Sequence, residues 1–196
     1  LESPVTNLAF AANTNRLAFS TRNGTAQIRD IDTGEELFDL TKMAGSGQSS
    51  INFSPDGNLI VTGGIDNVIR VWDGVTGREV QQKKGHIASV NMVAFNPDSN
   101  KIVSTSVVGQ VVLWEASRER KYVELPIGRG RCSAVAFSPD GQLIATATHR
   151  IQLWDASTKE ELMTLKPTKG MIFGLCFTPD GRHLVVGQNR KEILYK

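Results

Sequence analysis

Short runs of apolar, β-branched and aromatic residues alternate along this chain with turns made of Pro, Asp, Gly and other small polar residues. Clear examples of the runs are residues 59–62, 68–72, 101–104 and 111–114. Runs of this length and composition, bounded by turn residues, are typical of β-strands. No stretch longer than about ten residues carries an apolar stripe at helical spacing. The pattern therefore predicts an all-β chain.

Two sequence anchors recur along the chain with the same period. The first is a Phe at the end of an apolar run, and the second, about 19 residues later, is a Trp or its equivalent followed in most repeats by an acid. The first anchor falls at Phe10, Phe53, Phe95, Phe137 and Phe177, which are 43, 42, 42 and 40 residues apart. The second falls at Arg29, Trp72, Trp114, Trp154 and Tyr195. Two independent anchors with one period indicate an internal repeat.

Each repeat reads as four strands. A Pro-Asp pair follows the Phe in four of the five repeats, and Pro, Asp and Gly together favour a tight turn between strands a and b. Strand c ends at the second anchor, and a charged strand d follows, as at residues 35–40, 78–82 and 160–165. Charged strands suit an outer sheet edge because they resist pairing with foreign strands. The predicted repeats span about 1–46, 47–88, 89–130, 131–170 and, in part, 171–196.

The Phe-Ser-Pro-Asp-Gly motif, the closing Trp-Asp and the period resemble the WD-repeat family of β-propellers over essentially the whole chain. The resemblance implies a β-propeller of four-stranded antiparallel blades, with four complete repeats and a partial fifth. It favours a part of a larger propeller of about seven blades over a closed five-bladed ring. An incomplete ring would expose sheet edges and apolar blade faces, so we expect size-exclusion chromatography of the isolated chain to show self-association or instability.

The same resemblance implies structural roles for a small set of polar and aromatic residues. These are Trp72, Trp114, Trp154, His86 and Asp66. In the family pattern, the His, the Asp, a strand-b hydroxyl and the Trp form one hydrogen-bonded network. No repeat here carries the full set: the repeat with Asp66 lacks the His, and the repeat with His86 has Val107 and Val108 where the Asp is expected. We therefore expect blades that depend more on packing.

Charge and cysteine content exclude several functions. With 22 Lys and Arg against 20 Asp and Glu, the net charge of +2 gives no general attraction to nucleic acid or anionic membranes. Cys132 and Cys176 lie in apolar runs without metal-ligand spacing, so we expect core thiols. The apolar runs are far shorter than the ~20 residues of a membrane helix, and the first residues lack signal-peptide features. We expect an intracellular, cytoplasmic protein with no membrane insertion.

Catalytic signatures are absent from the sequence. The histidines His86, His149 and His183 have no nucleophile motif beside them, and no phosphate-binding glycine loop occurs. The acids that follow strand c recur once per repeat, which indicates turn building through local backbone hydrogen bonds. The sequence predicts no enzyme activity, no catalytic residue, no metal and no cofactor.

Loop variability indicates where a partner would bind. The a–b turns are uniform, whereas the b–c and d–a loops differ between repeats, as a specific binding face requires. The predicted site residues are Arg22, Asn67, Arg129, Arg131, His149, Arg150, Lys169, Arg190 and Lys191. Arg129 and Arg131 are favoured as anchors for an acidic or phosphorylated peptide, because guanidinium groups bind carboxylate and phosphate in a bidentate manner. The competing interpretation is that these cations only interact with solvent.

These features predict a non-catalytic scaffold for protein–protein interactions within a larger protein or complex, with no small-molecule substrate. Two alternatives remain open. A phosphoinositide- or nucleic-acid-binding propeller is disfavoured because the lipid-binding members of this fold carry a Phe/Leu-Arg-Arg-Gly motif that this chain lacks. A propeller enzyme is disfavoured because the strand-a runs, such as residues 93–95 and 135–137, are apolar.

Overall fold

The computed structural model describes residues 3–12, 14–41, 47–117, 121–128, 130–165, 172–188 and 191–195, with the side chains of residues 48 and 191–193 also outside the description. The described residues form nineteen β-strands in five antiparallel sheets. The predicted all-β architecture of four-stranded antiparallel blades is confirmed.

The strands follow the order of the chain within every sheet. The first sheet contains β1 (Val5–Phe10), β2 (Arg16–Thr21), β3 (Ala26–Asp30) and β4 (Glu36–Asp39). The second contains β5 (Gln48–Phe53), β6 (Leu59–Gly64), β7 (Val68–Asp73) and β8 (Glu79–Lys84). The third contains β9 (Val90–Phe95), β10 (Lys101–Ser106), β11 (Val111–Glu115) and β12 (Tyr122–Leu125).

The fourth sheet contains β13 (Ala134–Phe137), β14 (Leu143–Ala147), β15 (Ile151–Asp155) and β16 (Glu161–Leu165). The fifth, with three strands in the described residues, contains β17 (Ile172–Phe177), β18 (Leu184–Gln188) and β19 (Lys191–Tyr195). The first strands of successive sheets contact one another, β1 with β5, β5 with β9, β9 with β13 and β13 with β17. The sheets are therefore successive blades that contact one another through their first strands.

Antiparallel pairing in chain order divides the connections between two ends of the sheets. The b–c turns and d–a loops lie at one end, which we call the variable-loop face; its described residues are 22–25, 47, 65–67, 85–89, 107–110, 126–128, 130–133 and 148–150. The a–b and c–d turns lie at the other end, which we call the turn face. Hydrogen bonds link the two kinds of turn there, as from the Gly74 amide to the Asn58 carbonyl at 2.7 Å.

The apolar core lies between neighbouring sheets rather than inside any one of them. The clusters that fill these spaces combine residues of adjacent repeats, such as Ile28 with Ile60 and Val61 with Val93. All three indole rings are buried, and each indole N–H donates a hydrogen bond to a hydroxyl on strand b of the same sheet. The pairs are Trp72 with Thr62 at 2.9 Å, Trp114 with Ser104 at 2.7 Å and Trp154 with Thr146 at 2.9 Å.

Aspartates build the turns at the turn face. The Asp73 carboxylate accepts hydrogen bonds from the backbone amides of Val75 and Thr76 and from the Thr76 hydroxyl, at 2.7–3.0 Å. The equivalent Asp155 has its pKa lowered to about 2, chiefly by the hydroxyl of Ser157 and then by the backbone amides that follow. Acceptance of several hydrogen bonds stabilises the ionised form, so these carboxylates hold their turns at neutral pH.

The strand-a positions that face the preceding sheet are buried in the middle of the chain and exposed on the first sheet. Leu8 and Phe10 on β1 are 56% and 67% exposed. Their equivalents in the second, third and fourth repeats are buried or half-buried against the sheet before them: Ile51, Phe53, Val93, Phe95, Val135 and Phe137. Side chains of the same type are therefore buried where a described sheet packs against them and exposed where none does.

The expectation of two core thiols is wrong for Cys176. Cys132 is buried, whereas Cys176 is exposed. Cys176 lies on β17, whose other face directs Leu175 and Phe177 into the cluster shared with the fourth sheet. Successive residues of a strand point to opposite faces, so Cys176 lies on the face that no described sheet covers.

Candidate binding face on the variable loops

Hydrogen bonds from two backbone amides and one serine hydroxyl connect the loops of the second and third sheets into one surface. The Ile65 amide donates to the Gly47 carbonyl at 3.0 Å, and the Ser89 hydroxyl donates to the Ile65 carbonyl at 3.0 Å. The Val107 amide then donates to the Ser89 carbonyl at 3.0 Å. The β6–β7 turn, the β8–β9 loop and the β10–β11 turn are thus held side by side.

The surface continues to the fourth sheet. A β-carbon at Gly109 would collide with the carbonyl oxygen of Gly130 and lie 3.5 Å from Cα of Arg131. A β-carbon at Gly130 would in turn lie 3.7 Å from Nδ1 of His149. The β10–β11 turn, the β12–β13 loop and the β14–β15 turn therefore meet around Gly130. Gly109 adopts φ of +89°, which favours glycine at this close approach.

Four aliphatic side chains are exposed on this face. They are Ile65, Ile87, Val107 and Val108, and we call them the aliphatic patch. Ile87 is 77% exposed and Val108 is 56% exposed, and both line a cavity of about 200 Å³ together with Pro126 and Ile127. A group of exposed apolar side chains at one end of a folded domain is typical of an interaction site. The sequence reasoning missed this patch; its signal was the presence of β-branched residues inside turns rather than strands.

The predicted cationic residues flank the aliphatic patch on two sides. Arg22 is exposed and lines a cavity of about 210 Å³ with Asn23 and Ile65. On the other side Arg131 and His149 are exposed and Arg150 is half-buried.

The Arg150 guanidinium lies beside the β12–β13 loop, 3.3 Å from where a β-carbon at Gly128 would be. Asn67 is half-buried and adopts φ of +67° in the β6–β7 turn. Arg129, Lys169 and Arg190, and the side chain of Lys191, lie outside the described residues. The structure thus brings Arg131, His149 and Arg150 together.

His86 joins a buried hydrogen-bonded network in the third sheet. Its Nε2 lies 2.6 Å from Oγ of Ser104, which also accepts the indole N–H of Trp114. Its Nδ1 lies 3.0 Å from Oε1 of Gln110. Because a carbonyl oxygen only accepts, Nδ1 carries the proton and Nε2 accepts from the serine hydroxyl. Burial lowers the pKa of His86, which keeps the imidazole neutral.

Gln110 therefore occupies the place in this network where the family pattern has an acid. Its amide nitrogen donates to Oε2 of Glu124 at 2.9 Å, and its Oε1 also accepts from the backbone amide of Ile87. The network consequently fixes the loop that presents Ile87. Sequence spacing did not identify Gln110, since it lies two residues beyond the position at which an Asp was sought.

Asp66 forms an ion pair within its own sheet. Its carboxylate receives both terminal nitrogens of Arg70, at 2.6 and 3.1 Å, and the Arg70 side chain is buried. Glu79 approaches Nε of Arg70 at 3.4 Å. The carboxylate of Asp66 is partly exposed, but its negative charge is paired with the buried guanidinium of Arg70, so it does little to offset the other cations of this face.

The described residues offer neither a metal site nor a membrane-spanning helix. This part of the chain contains no group of three or more His, Cys, Asp and Glu side chains placed to hold a metal ion. It also contains no helix with the length and apolar content needed to cross a membrane.

The repeated four-stranded sheets, with their buried Trp and hydroxyl pairs, define a β-propeller repeat protein. The profile of the family described as WD domain, G-beta repeat matches residues 40–73, 77–115 and 125–155, which together exceed half of the chain. The chain therefore belongs to the WD-repeat family, as the sequence motifs predicted.

Two curated relatives share short segments with this chain. An uncharacterized WD repeat-containing protein of Nostoc is 42% identical over 52 residues, which is 26% of this chain and 3% of the relative. Protein groucho of Drosophila melanogaster is 53% identical over 36 residues, which is 18% of this chain and 5% of the relative. The matched region thus spans a small part of either relative. WD-repeat proteins are generally non-catalytic scaffolds for protein interaction.

Proposed function

We propose that this chain is a non-catalytic scaffold that binds a protein partner through the variable-loop face. The observation that carries the proposal is the aliphatic patch, held in place by the loop hydrogen bonds and flanked by Arg22 on one side and Arg131, His149 and Arg150 on the other. The proposed binding-site residues are these four basic side chains, which were expected from the sequence, together with the four aliphatic side chains.

The chemistry of this face favours a peptide that combines an apolar side chain with acidic or phosphorylated neighbours. Full burial of one aliphatic side chain contributes about 1.5–3 kcal/mol. The cavity beside Ile87 and Val108, at about 200 Å³, has room for such a side chain. Exposed arginines add mainly to the association rate and to the choice of partner. The apolar anchor therefore supplies affinity, and the cations select acidic sequences.

Selection from a random peptide library on the full chain tests the proposal. We expect the selected peptides to contain an aliphatic or aromatic residue with Asp or Glu nearby. The double variant Ile87→Asp, Val108→Asp should lose binding by a factor of about 30 or more, since about 2 kcal/mol of apolar burial is removed. The matched control is Val75→Asp, an equally exposed valine on the turn face, which should bind normally.

Equal binding of the selected peptides to the wild type and to the double variant would refute the proposed face. A second variant tests the cations separately. Arg131→Ala with Arg150→Ala should weaken binding and flatten its dependence on salt concentration, because screening acts on the charges and not on the apolar contact. Unchanged salt dependence would show that the arginines do not contact the peptide.

A further inference from the structure

A third cavity, of about 330 Å³, lies where the outer strand of the second sheet meets the third sheet. Its described walls are Gln82, Lys83 and Lys84 of β8 and the indole of Trp114 on β11. It shares no described wall residue with the cavities of the variable-loop face. We propose that this cavity is an oxyanion site, which binds a carboxylate or phosphate group through the ammonium of Lys83.

Lys83 is a buried cation with unused hydrogen-bonding capacity. Its side chain is 4% exposed, and Nζ donates to the carbonyl oxygen of Ser117 at 3.1 Å. An ammonium group has three donors, and the described part of the chain accepts one of them, which leaves two for a ligand. Within the described residues, no carboxylate lies within ion-pair distance of Nζ. A buried charge is costly without a counterion, and a bound anion would remove that cost.

Glu115, the acid whose charge acts on Lys83, forms its ion pair with a different lysine. Glu115 acts on Lys83 through its charge, but its Oε1 lies 2.8 Å from Nζ of Lys101, with which it forms an ion pair. Burial lowers the pKa of Lys83, and the charge of Glu115 offsets only part of that effect. Among the described residues, therefore, no acid neutralises the positive charge at the cavity wall.

The remaining walls indicate the kind of molecule that carries the oxyanion. The Trp114 indole is held by Tyr122, whose ring centroid is 4.8 Å away, and offers a rigid apolar surface. Lys84 is exposed and adds a second positive charge beside the cavity. The shape and charge suit an anionic group attached to an apolar or flat body, such as an acidic or phosphorylated side chain.

Nuclear magnetic resonance of the full chain labelled with ¹³C at lysine Cε tests this site. The Lys83 signal is assigned from its loss in Lys83→Arg. Inorganic phosphate, phosphotyrosine and N-acetylglutamate are then added separately, which distinguishes a phosphate from a carboxylate and a free anion from one on an aromatic body. We expect a saturable shift of the Lys83 signal with at least one probe, and a smaller, unsaturated shift for Lys101, which is already paired.

A Lys83→Met variant provides the independent check. A methionine of similar length replaces the buried charge with an apolar group and so removes the cost of burying an ammonium without a described counterion. This variant should fold and should bind the effective probe at least tenfold more weakly. Absence of a saturable Lys83 shift in the wild type, or unchanged probe affinity in Lys83→Met, would overturn the assignment. Either result would leave the proposed role of the variable-loop face intact.

Discussion

Replacement of Ser104 by Ala perturbs the polar centre of the third sheet without touching its surface. The Ser104 hydroxyl is fully buried and lies between two other buried groups, the indole N–H of Trp114 at 2.7 Å and Nε2 of His86 at 2.6 Å. In Ser104→Ala, both groups remain in place and lose their partner. The variant therefore measures how much this network contributes to folding.

The structure gives the expected size of the effect. A buried donor or acceptor left without its partner costs about 1–3 kcal/mol, so two such groups cost about 2–6 kcal/mol in Ser104→Ala. The matched control is Thr62→Val in the second sheet, where only the Trp72 indole loses its acceptor and the side-chain volume is preserved. We expect about 1–3 kcal/mol for this control. The total stability of a domain is only about 5–15 kcal/mol, so the difference is measurable.

Urea denaturation followed by tryptophan fluorescence is the appropriate assay, because all three indoles lie at these equivalent positions. The midpoint for Ser104→Ala should fall below that of Thr62→Val at an unchanged slope. In a Trp114→Phe background, the cost of Ser104→Ala should drop by roughly half, because one of its two partners is gone. A loss of less than about 0.5 kcal/mol for Ser104→Ala would refute the reasoning, since surface substitutions cost that much.

Three further predictions follow from the packing and the titrating groups. The pKa of His86 in the folded chain lies below its usual 6.5, so the unfolded chain takes up the proton first as the pH falls. The free energy of unfolding should therefore decrease between about pH 7 and pH 5. Urea titrations at the two pH values should show that His86→Leu removes this decrease. Gly63→Ala would place a β-carbon 2.6 Å from a side-chain atom of the third sheet and should cost about 1–3 kcal/mol in thermal denaturation, whereas Gly174→Ala, with nothing within 4 Å, should cost far less. Cys176 should react with a thiol reagent in the native chain, whereas Cys132, whose pKa burial raises to about 11, should react only on unfolding; equal rates would contradict the structure.

The fold was predictable because its signals are local and repeated. The ends of the strands can be located from a Phe and a Trp at fixed places in the repeat and from the Pro-Asp-Gly turn between them. These signals can be recognised without knowing which residues pack against them. Cys176 shows the limit of this reasoning. Cysteine is a residue type that is often buried, and the apolar run around Cys176 also favours burial. Burial nevertheless requires that another sheet packs on the face of β17 that carries Cys176. The repeat pattern of the sequence does not show whether such a sheet is present.

The binding role of the variable-loop face stays a prediction, but part of its geometry could be foreseen. Loop variability predicted that Arg131, His149 and Arg150 lie at one end of the sheets, and their loops meet there around Gly130. Gln110 could not be predicted as the partner of His86, because the contact joins residues 24 positions apart through side-chain geometry. The aliphatic patch was missed for a related reason: a valine in a turn, such as Val108, becomes an exposed surface only when the turn conformation is known.

Hydrogen–deuterium exchange with and without a selected peptide tests most directly the claim that the variable loops are the binding surface. The account predicts slower exchange of amides in residues 85–89, 107–110 and 130–133 when the peptide is bound. The turn-face amides of residues 56–58, 98–100 and 140–142 should exchange at unchanged rates. Protection confined to the turn face, with the variable loops unaffected, would contradict the account.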